Sequence, residues 1–284
     1  MSAPPRIAYL NGQFLPLAEA RIPIMDRGFL FGDGIYEVTA VVNGRLIDNA
    51  PHLARLDRSL REIGIANPHD LAGWTAIQTE LVALNRFREG LIYIEVTRGV
   101  AERDFLSPDD LAPTVVMVTQ DKAILDNPAA DRGIGIITLA DQRWARRDIK
   151  SVSLLAQVLA KRAARDAGVA EAWMVEDGYV TEGASSTAFI VTPGREIVTR
   201  PLSHAVLPGI TRETILRVAR EHGYTLVERP FTVVEALGAA EAFITSASTI
   251  AMPVITIDGQ PVGDGRPGPV VKALRAYYFE AVLA

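Results

Sequence analysis

Cysteine is absent from all 284 residues. Disulfides, thiolate catalysis and zinc sites built on sulfur are therefore excluded, and a cytoplasmic setting is expected. Histidine is scarce: His52, His69, His204 and His222 show no ligand-like spacing, so no metal site is expected. No long run of one charge occurs and the net charge is −5, which argues against a nucleic-acid surface. No apolar run reaches membrane-spanning length, and Met1-Ser2-Ala3-Pro4-Pro5 lacks a signal-peptide pattern. Internal repeats and low-complexity tracts are missing too. What is present is a chain 49% hydrophobic and 22% charged, enough at this length to bury two cores.

The first half is predicted as short strands and turns around two helices. Residues 6–10 with a turn at Asn11-Gly12 make an opening hairpin. Met25 to Gly34 is a glycine-rich loop running into a strand that ends at Val42 and turns back at Asn43-Gly44. Asn49 and Pro51 open a helix with Leu53, Leu56, Leu60 and Ile63 on one face, and Gly64 ends it. A second amphipathic helix covers 71–86. Strands at 91–97 and 114–119 enclose the polar loop Arg98 to Pro108, longer than a plain hairpin turn and of a length that often carries function.

A linker is expected over 121–131, between a small N-terminal α/β domain (1–120) and a larger C-terminal domain (132–284). The second half holds a strand at 134–139, a hairpin turning at Asp177-Gly178 and a strand near 187–192. A helix from about Arg212 to His222, a strand at 242–245 and a C-terminal helix follow. Strands and helices mix without regular βαβ alternation, so the class is α+β.

The chain is organised around Arg147-Asp148-Ile149-Lys150-Ser151-Val152-Ser153-Leu154-Leu155. A serine cap is expected there to start an inward-packing helix, with Leu155, Val158 and Leu159 on its apolar stripe and Gly168 past its end. A lysine held where such a helix begins can be left as a neutral amine that attacks a carbonyl. Taken alone, Lys150 is more simply a solvated surface charge. Glu182, in Val180-Thr181-Glu182-Gly183, puts a carboxylate at a strand end, or else on an exposed hairpin. Gly209-Ile210-Thr211-Arg212 starts a helix whose free N–H groups can hold a phosphate, or can simply form an ordinary cap. Arg55 lies on the shoulder of its helix's apolar stripe, where a buried guanidinium needs an anion. Thr245-Ser246-Ala247-Ser248-Thr249 offers backbone N–H groups for close packing against an anion.

None of these features decides alone. The ordered set Arg27-Gly28…Gly32-Asp33-Gly34-Ile35-Tyr36-Glu37, His52-Leu53-x-Arg55-Leu56, Asp148-Ile149-Lys150-Ser151, Val180-Thr181-Glu182-Gly183 and Gly209-Ile210-Thr211-Arg212 resembles the class IV aminotransferases over nearly the whole chain. Within them it is most similar to the bacterial D-amino acid enzymes. The resemblance implies a two-domain fold type IV enzyme with pyridoxal 5′-phosphate in the cleft between the domains, and a homodimer that completes each site. It implies that Lys150 carries the cofactor as a Schiff base and moves the proton, and that Glu182 pairs with the ring nitrogen. Arg55, Ile210, Thr211, Ser246 and Ala247 are implied to hold the phosphate.

Tyr36 and Val38 are implied to line the substrate pocket, and Arg103 to reach across the dimer to the substrate carboxylate. The implied reaction is transamination between a D-amino acid such as D-alanine and a 2-oxo acid. Branched-chain aminotransferase, aminodeoxychorismate lyase and (R)-selective amine transaminase share the cofactor motifs. A non-catalytic cofactor binder would need neither Lys150 nor Glu182. Two departures stand out: Phe105 replaces the histidine usually found two residues after the arginine, with Asp104 between them. Ala247 replaces a phosphate-binding threonine.

Overall fold

Strand alternation and two amphipathic helices account for the first of two compact units, Met1–Leu125 together with Ile149–Ser153. The computed structural model describes residues 5–284; the Met1–Pro4 part of the stretch read for a targeting signal lies outside them. In chain order this unit holds β1 (Ile7–Leu10), β2 (Gln13–Pro16), α1 (Arg27–Phe31), β3 (Gly34–Val42) and β4 (Arg45–Leu46). Helices α2 (Asn49–Glu62) and α3 (Leu71–Leu84) and strands β5 (Gly90–Thr97) and β6 (Thr114–Asp121) follow. The sheet is antiparallel in the order β2-β1-β6-β5-β3-β4. One face buries Ile35, Val41, Ile92, Ile94, Val96, Val115 and Met117 against Leu53, Leu56 and Leu60 of α2 and Trp74 and Leu81 of α3. The side chains one residue out of step (Tyr36, Val38, Tyr93, Glu95, Val116 and Val118) leave from the other face and are half-buried.

The second unit comprises Asp126–Asp148 and Leu154–Ala284. It runs α4 (Pro128–Arg132), β7 (Ile134–Ala140), α5 (Leu155–Asp166), β8 (Glu171–Glu176), β9 (Tyr179–Gly183), β10 (Thr187–Val191) and β11 (Ile197–Thr199). Then come α6 (Ile210–Glu221), β12 (Leu226–Glu228), α7 (Val233–Leu237), β13 (Glu241–Ser246), β14 (Ile250–Ile257), β15 (Gln260–Pro261) and α8 (Pro269–Leu283). Its mixed sheet is ordered β12-β11-β10-β13-β14-β7-β8-β9, with β15 paired to β14. Phe189 and Phe243 stack at 4.6 Å between β10 and β13. Among the described residues no helix is long and apolar enough to cross a membrane.

Three local expectations are corrected. The glycine-rich loop contains a helical turn, α1, because Asp26 accepts Gly28 N–H at its start and Gly32 closes it at φ +66°. Helix α5 starts at Leu155 without a side-chain cap, so no serine caps it. Its apolar stripe does not pack inward: Leu155 is 72% exposed and Val158 and Leu159 are also exposed. The small residues Ala160 and Ala164 take the buried side instead, with Ala172, Ala184, Ile137, Leu139 and Val169 around them. A small-residue face lets the helix backbone approach the sheet closely, and the larger side chains are left outside.

Candidate active site

Lys150 owes its position to an open sheet edge. Strand β4 pairs only with the far end of β3, at Val41 and Val42, which leaves the Gly34–Tyr36 end to take another partner. Residues 150–152 fill that edge. Tyr36 N–H donates to Lys150 O at 2.9 Å, Val152 N–H to Gly34 O at 3.1 Å, and Ser151 bridges Ile35. Lys150 N–H reaches Ser59 Oγ of α2 at 3.4 Å. Lys150 thus sits on an extended segment of the first unit, with its Nζ 4.0 Å from the centre of the Tyr36 ring. Tyr36 in turn stacks on Tyr93 at 5.6 Å. The sequence-predicted Lys150, Tyr36 and Val38 therefore share one side of the sheet.

Arg55 lies on the opposite, buried side. Its Nε donates to Glu37 Oε1 at 2.6 Å and its Nη2 to Glu37 Oε2 at 2.9 Å, while His52 Nδ1 lies 2.8 Å from Glu37 Oε2. Glu37 is completely buried. Burial alone would raise its pKa, but Arg55 and His52 overcome that and hold it far below the usual carboxylate range. His52 is shifted below its ordinary value because burial outweighs its attraction to Glu37.

Both shifts act in the same sense on stability. A depressed folded-state value means that the unfolded chain binds the proton first as pH falls. The His52 contribution should begin to be lost below about pH 6.5 and the Glu37 contribution below about 4.3, each with a limiting slope of about 1.4 kcal/mol per pH unit. Thermal unfolding from pH 8 to 5 checks this. The fall in Tm below pH 6.5 should be shallower in His52→Asn than in the wild type; identical slopes would contradict it.

The second unit gathers its predicted residues at one end of its sheet. Glu182 is 4% exposed at the end of β9 and pairs with Arg143 Nη1. Leu207 N–H donates to both its oxygens, at 3.1 and 3.2 Å. Asp141 grips Arg143 from the other side, Oδ1 to Nε at 3.0 Å and Oδ2 to Nη2 at 2.7 Å, and accepts Thr181 Oγ1 at 2.7 Å. Burial raises the Glu182 pKa and is only partly offset by Arg143 and Leu207 N–H. Its sign is opposite to that of Glu37: this stability contribution is present below the unfolded carboxylate value and is lost as pH rises through the folded one.

Three residues beyond Leu207, α6 begins at Ile210 and Thr211 with Gly209 as its cap and no side-chain cap bond. The first-turn amides of a helix have no intrahelical acceptor and lie at its positive end. A Cβ on Gly209 would come within 2.8 Å of Thr187 Oγ1, so this close approach requires glycine. Thr187 is the cross-strand partner of Thr245, whose buried Oγ1 has no hydrogen-bond partner. Ser246 and Ala247 follow directly. Ser246 Oγ lies 2.8 Å from Thr249 Oγ1, and Ile250 leaves the turn at φ +57°. A β-branched residue there is strained by about 1–3 kcal/mol, a cost usually met where a segment is held for function.

The Arg98–Pro108 loop is anchored by Arg27, whose Nη1 donates to Asp104 O at 2.6 Å and Nη2 to Phe105 O at 3.2 Å. Arg27 and Arg98 share Asp33, each at 2.8 Å. Arg103 is exposed, with its guanidinium 5.5 Å from the Phe31 ring centre. Asp104 Oδ1 accepts Leu106 N–H at 3.0 Å, so its carboxylate turns back on its own loop.

Comparison with known proteins gives this geometry its family. The class IV aminotransferase family model matches residues 34–257. The chain is 38% identical over 276 residues to a D-alanine aminotransferase of Bacillus licheniformis, covering 96% of each. A hypothetical aminotransferase from Mycobacterium tuberculosis, solved in its pyridoxal phosphate-bound form, superposes with a TM-score of 0.85. It is 25% identical, and the match covers 98% of this chain and 99% of that one. The Escherichia coli branched-chain enzyme shares the fold at a TM-score of 0.91 and 22% identity, over 98% of this chain and 95% of its own. The chain belongs to the class IV aminotransferases, enzymes that depend on pyridoxal phosphate.

Its own residues fit that cofactor. The second unit supplies a buried carboxylate, an α6 N-terminus without a side-chain cap, a glycine approach that a Cβ would fill, and an unpaired buried hydroxyl. Sequence reasoning missed Arg143 and Asp141, and it gave no role to Glu37 and His52 although both stand in the motif set. Glu37 could have been found, because it shares the buried parity of Ile35 and Val41 on β3. Arg143 carried no local signal, since Glu182 is 39 residues away.

Proposed function

We propose that this enzyme transfers an amino group between a D-amino acid, with D-alanine as the type substrate, and a 2-oxo acid. The observation that carries the reading is the placement of Lys150, fixed by its backbone to β3 with its amine over Tyr36. The kinship with D-alanine aminotransferases over 96% of the chain directs the choice of substrate.

Pyridoxal phosphate, when bound, supplies an electrophilic carbonyl and a cationic ring that draws electrons from the substrate. Lys150 would hold it covalently and move the proton at the substrate Cα. Glu182 would hold a proton at the ring nitrogen, and Arg143 would favour its charged form against burial. The Ile210 and Thr211 amides, Thr211 Oγ1, Ser246, Ala247 N–H and Arg55 would bind the phosphate. Tyr36 and Val38 would line the substrate side.

In this reading two copies form a homodimer, and Arg103 of each copy binds the substrate carboxylate in the other's site. Exposed apolar side chains support that assembly: Phe105 and Leu106 are 84% and 83% exposed beside Arg103. A cytoplasmic setting belongs to the same reading and rests on the lack of cysteine.

A half-reaction screen with D-alanine, L-leucine and (R)-1-phenylethylamine tests the substrate class. D-alanine should react with the highest kcat/KM. Preference for L-leucine would transfer the enzyme to the branched-chain activity, and preference for the amine would make Arg103 irrelevant to binding.

A further inference from the structure

Tyr93 and Glu95 stand two residues apart on β5, so their side chains leave from the same face. On that face Tyr36 is the direct cross-strand partner of Glu95, and Val38 that of Tyr93. Tyr93 Oη donates to Glu95 Oε2 at 2.7 Å. One carboxylate therefore stands beside the ring over which Lys150 Nζ lies at 4.0 Å. On the β6 side the register puts apolar residues next to the pair: Val116 is the partner of Glu95, and Val118 that of Tyr93.

Holding the Tyr93 hydroxyl does not require a charge, because an amide oxygen would accept the same bond. The partner is a neutral phenol, not a cation, so the glutamate's charge is not neutralised by it. Burial keeps Tyr93 protonated, and the charge of Glu95 adds to that effect. What the carboxylate adds on this half-buried face is a negative potential one cross-strand pair from Tyr36. A substrate side chain lying over the Tyr36 and Tyr93 rings would meet that potential.

We propose that Glu95 sets the side-chain charge preference of the reaction, turning away amino and oxo acids with an acidic side chain and admitting neutral and cationic ones. This rests on Lys150 as the reaction centre. Like charges in a partly desolvated site repel each other, and an opposite charge or a hydrogen-bond donor is attracted.

The test compares the wild-type holoenzyme with Glu95→Gln, which keeps the acceptor for Tyr93 and removes the charge. Half-reactions are measured with D-alanine, D-glutamate and D-lysine. The ratio of kcat/KM for D-glutamate to that for D-alanine should rise about tenfold or more in the variant, and the D-lysine to D-alanine ratio should fall several-fold. Raising salt from about 50 to 500 mM should narrow the wild-type D-glutamate deficit, because exposed charges are screened.

Calorimetric binding of glutarate and of butyrate gives a readout that does not depend on turnover. Glutarate should tighten in Glu95→Gln relative to butyrate. Equal losses for all three amino acids would assign Glu95 to the α-carboxylate or to structure, and no change in any of the three would place it too far away; either overturns the proposal. Absence of D-amino acid turnover in the wild type with the glutarate difference intact would overturn the substrate reading alone.

Discussion

Lys150→Ala should lower kcat by about a thousandfold or more, within the range lost when a positioned proton-transfer group is removed. The loss should exceed that figure if the covalent attachment contributes independently. The fold should survive, because Lys150 is tied to the sheet through its backbone: its carbonyl accepts Tyr36 N–H and its N–H reaches Ser59. Alanine keeps both groups. The Tm should therefore change little while activity collapses. Borohydride reduction of the wild-type holoenzyme, followed by peptide mapping, should place the pyridoxyl mass on Lys150. Finding it on Lys122, Lys161 or Lys272 would sink the assignment.

Glu37→Ala is the substitution with the largest expected cost to stability. It removes a completely buried carboxylate and takes from Arg55, itself 7% exposed, the anion that its Nε and Nη2 hold. Breaking one side of such a pair costs about 3–5 kcal/mol, because the remaining charge stays buried. The urea midpoint should fall accordingly with the m value unchanged. Replacing the cluster together, as Glu37→Leu, His52→Leu and Arg55→Met, should recover much of the stability, since a packed apolar set of similar volume avoids desolvation of the charges. It should still bind pyridoxal phosphate weakly if Arg55 serves the phosphate. A stable triple variant with undiminished cofactor affinity would reduce Arg55 to a structural residue.

Most of the first unit's elements were legible in the sequence, because its strands alternate cleanly and Leu53, Leu56 and Leu60 mark one face of α2. Short elements escaped: β11, β12 and α7 span three to five residues, too few for a period to show. Strand β14 was missed because its first five residues are buried on both faces and do not alternate. The stripe on α5 misled for a different reason. Periodicity identifies an apolar face but not what covers it, and here alanines at positions 160 and 164 took the inward place.

Within the candidate site, Lys150, Glu182 and the α6 start were visible as motifs. The partners that hold them were not. Arg143 reaches Glu182 across 39 positions, and Ser59 reaches Lys150 across 91, so only the folded chain brings these pairs together. The face that carries Tyr36 was partly visible through β3, but its continuation to Tyr93 and Glu95 needed the register between β3 and β5.

The return of Ile149–Ser153 to the first unit governs how this gene can be cut and recombined. A fragment ending at Leu125 would lack Lys150 and would leave the Gly34–Tyr36 edge of β3 without its hydrogen-bonding strand. A chimera joined once near residue 125 would give the β3 edge of one parent a five-residue strip from the other. Exchange between relatives should therefore use two further junctions, at 148/149 and 153/154, so that Lys150 travels with Tyr36, Ser59 and the strand it completes.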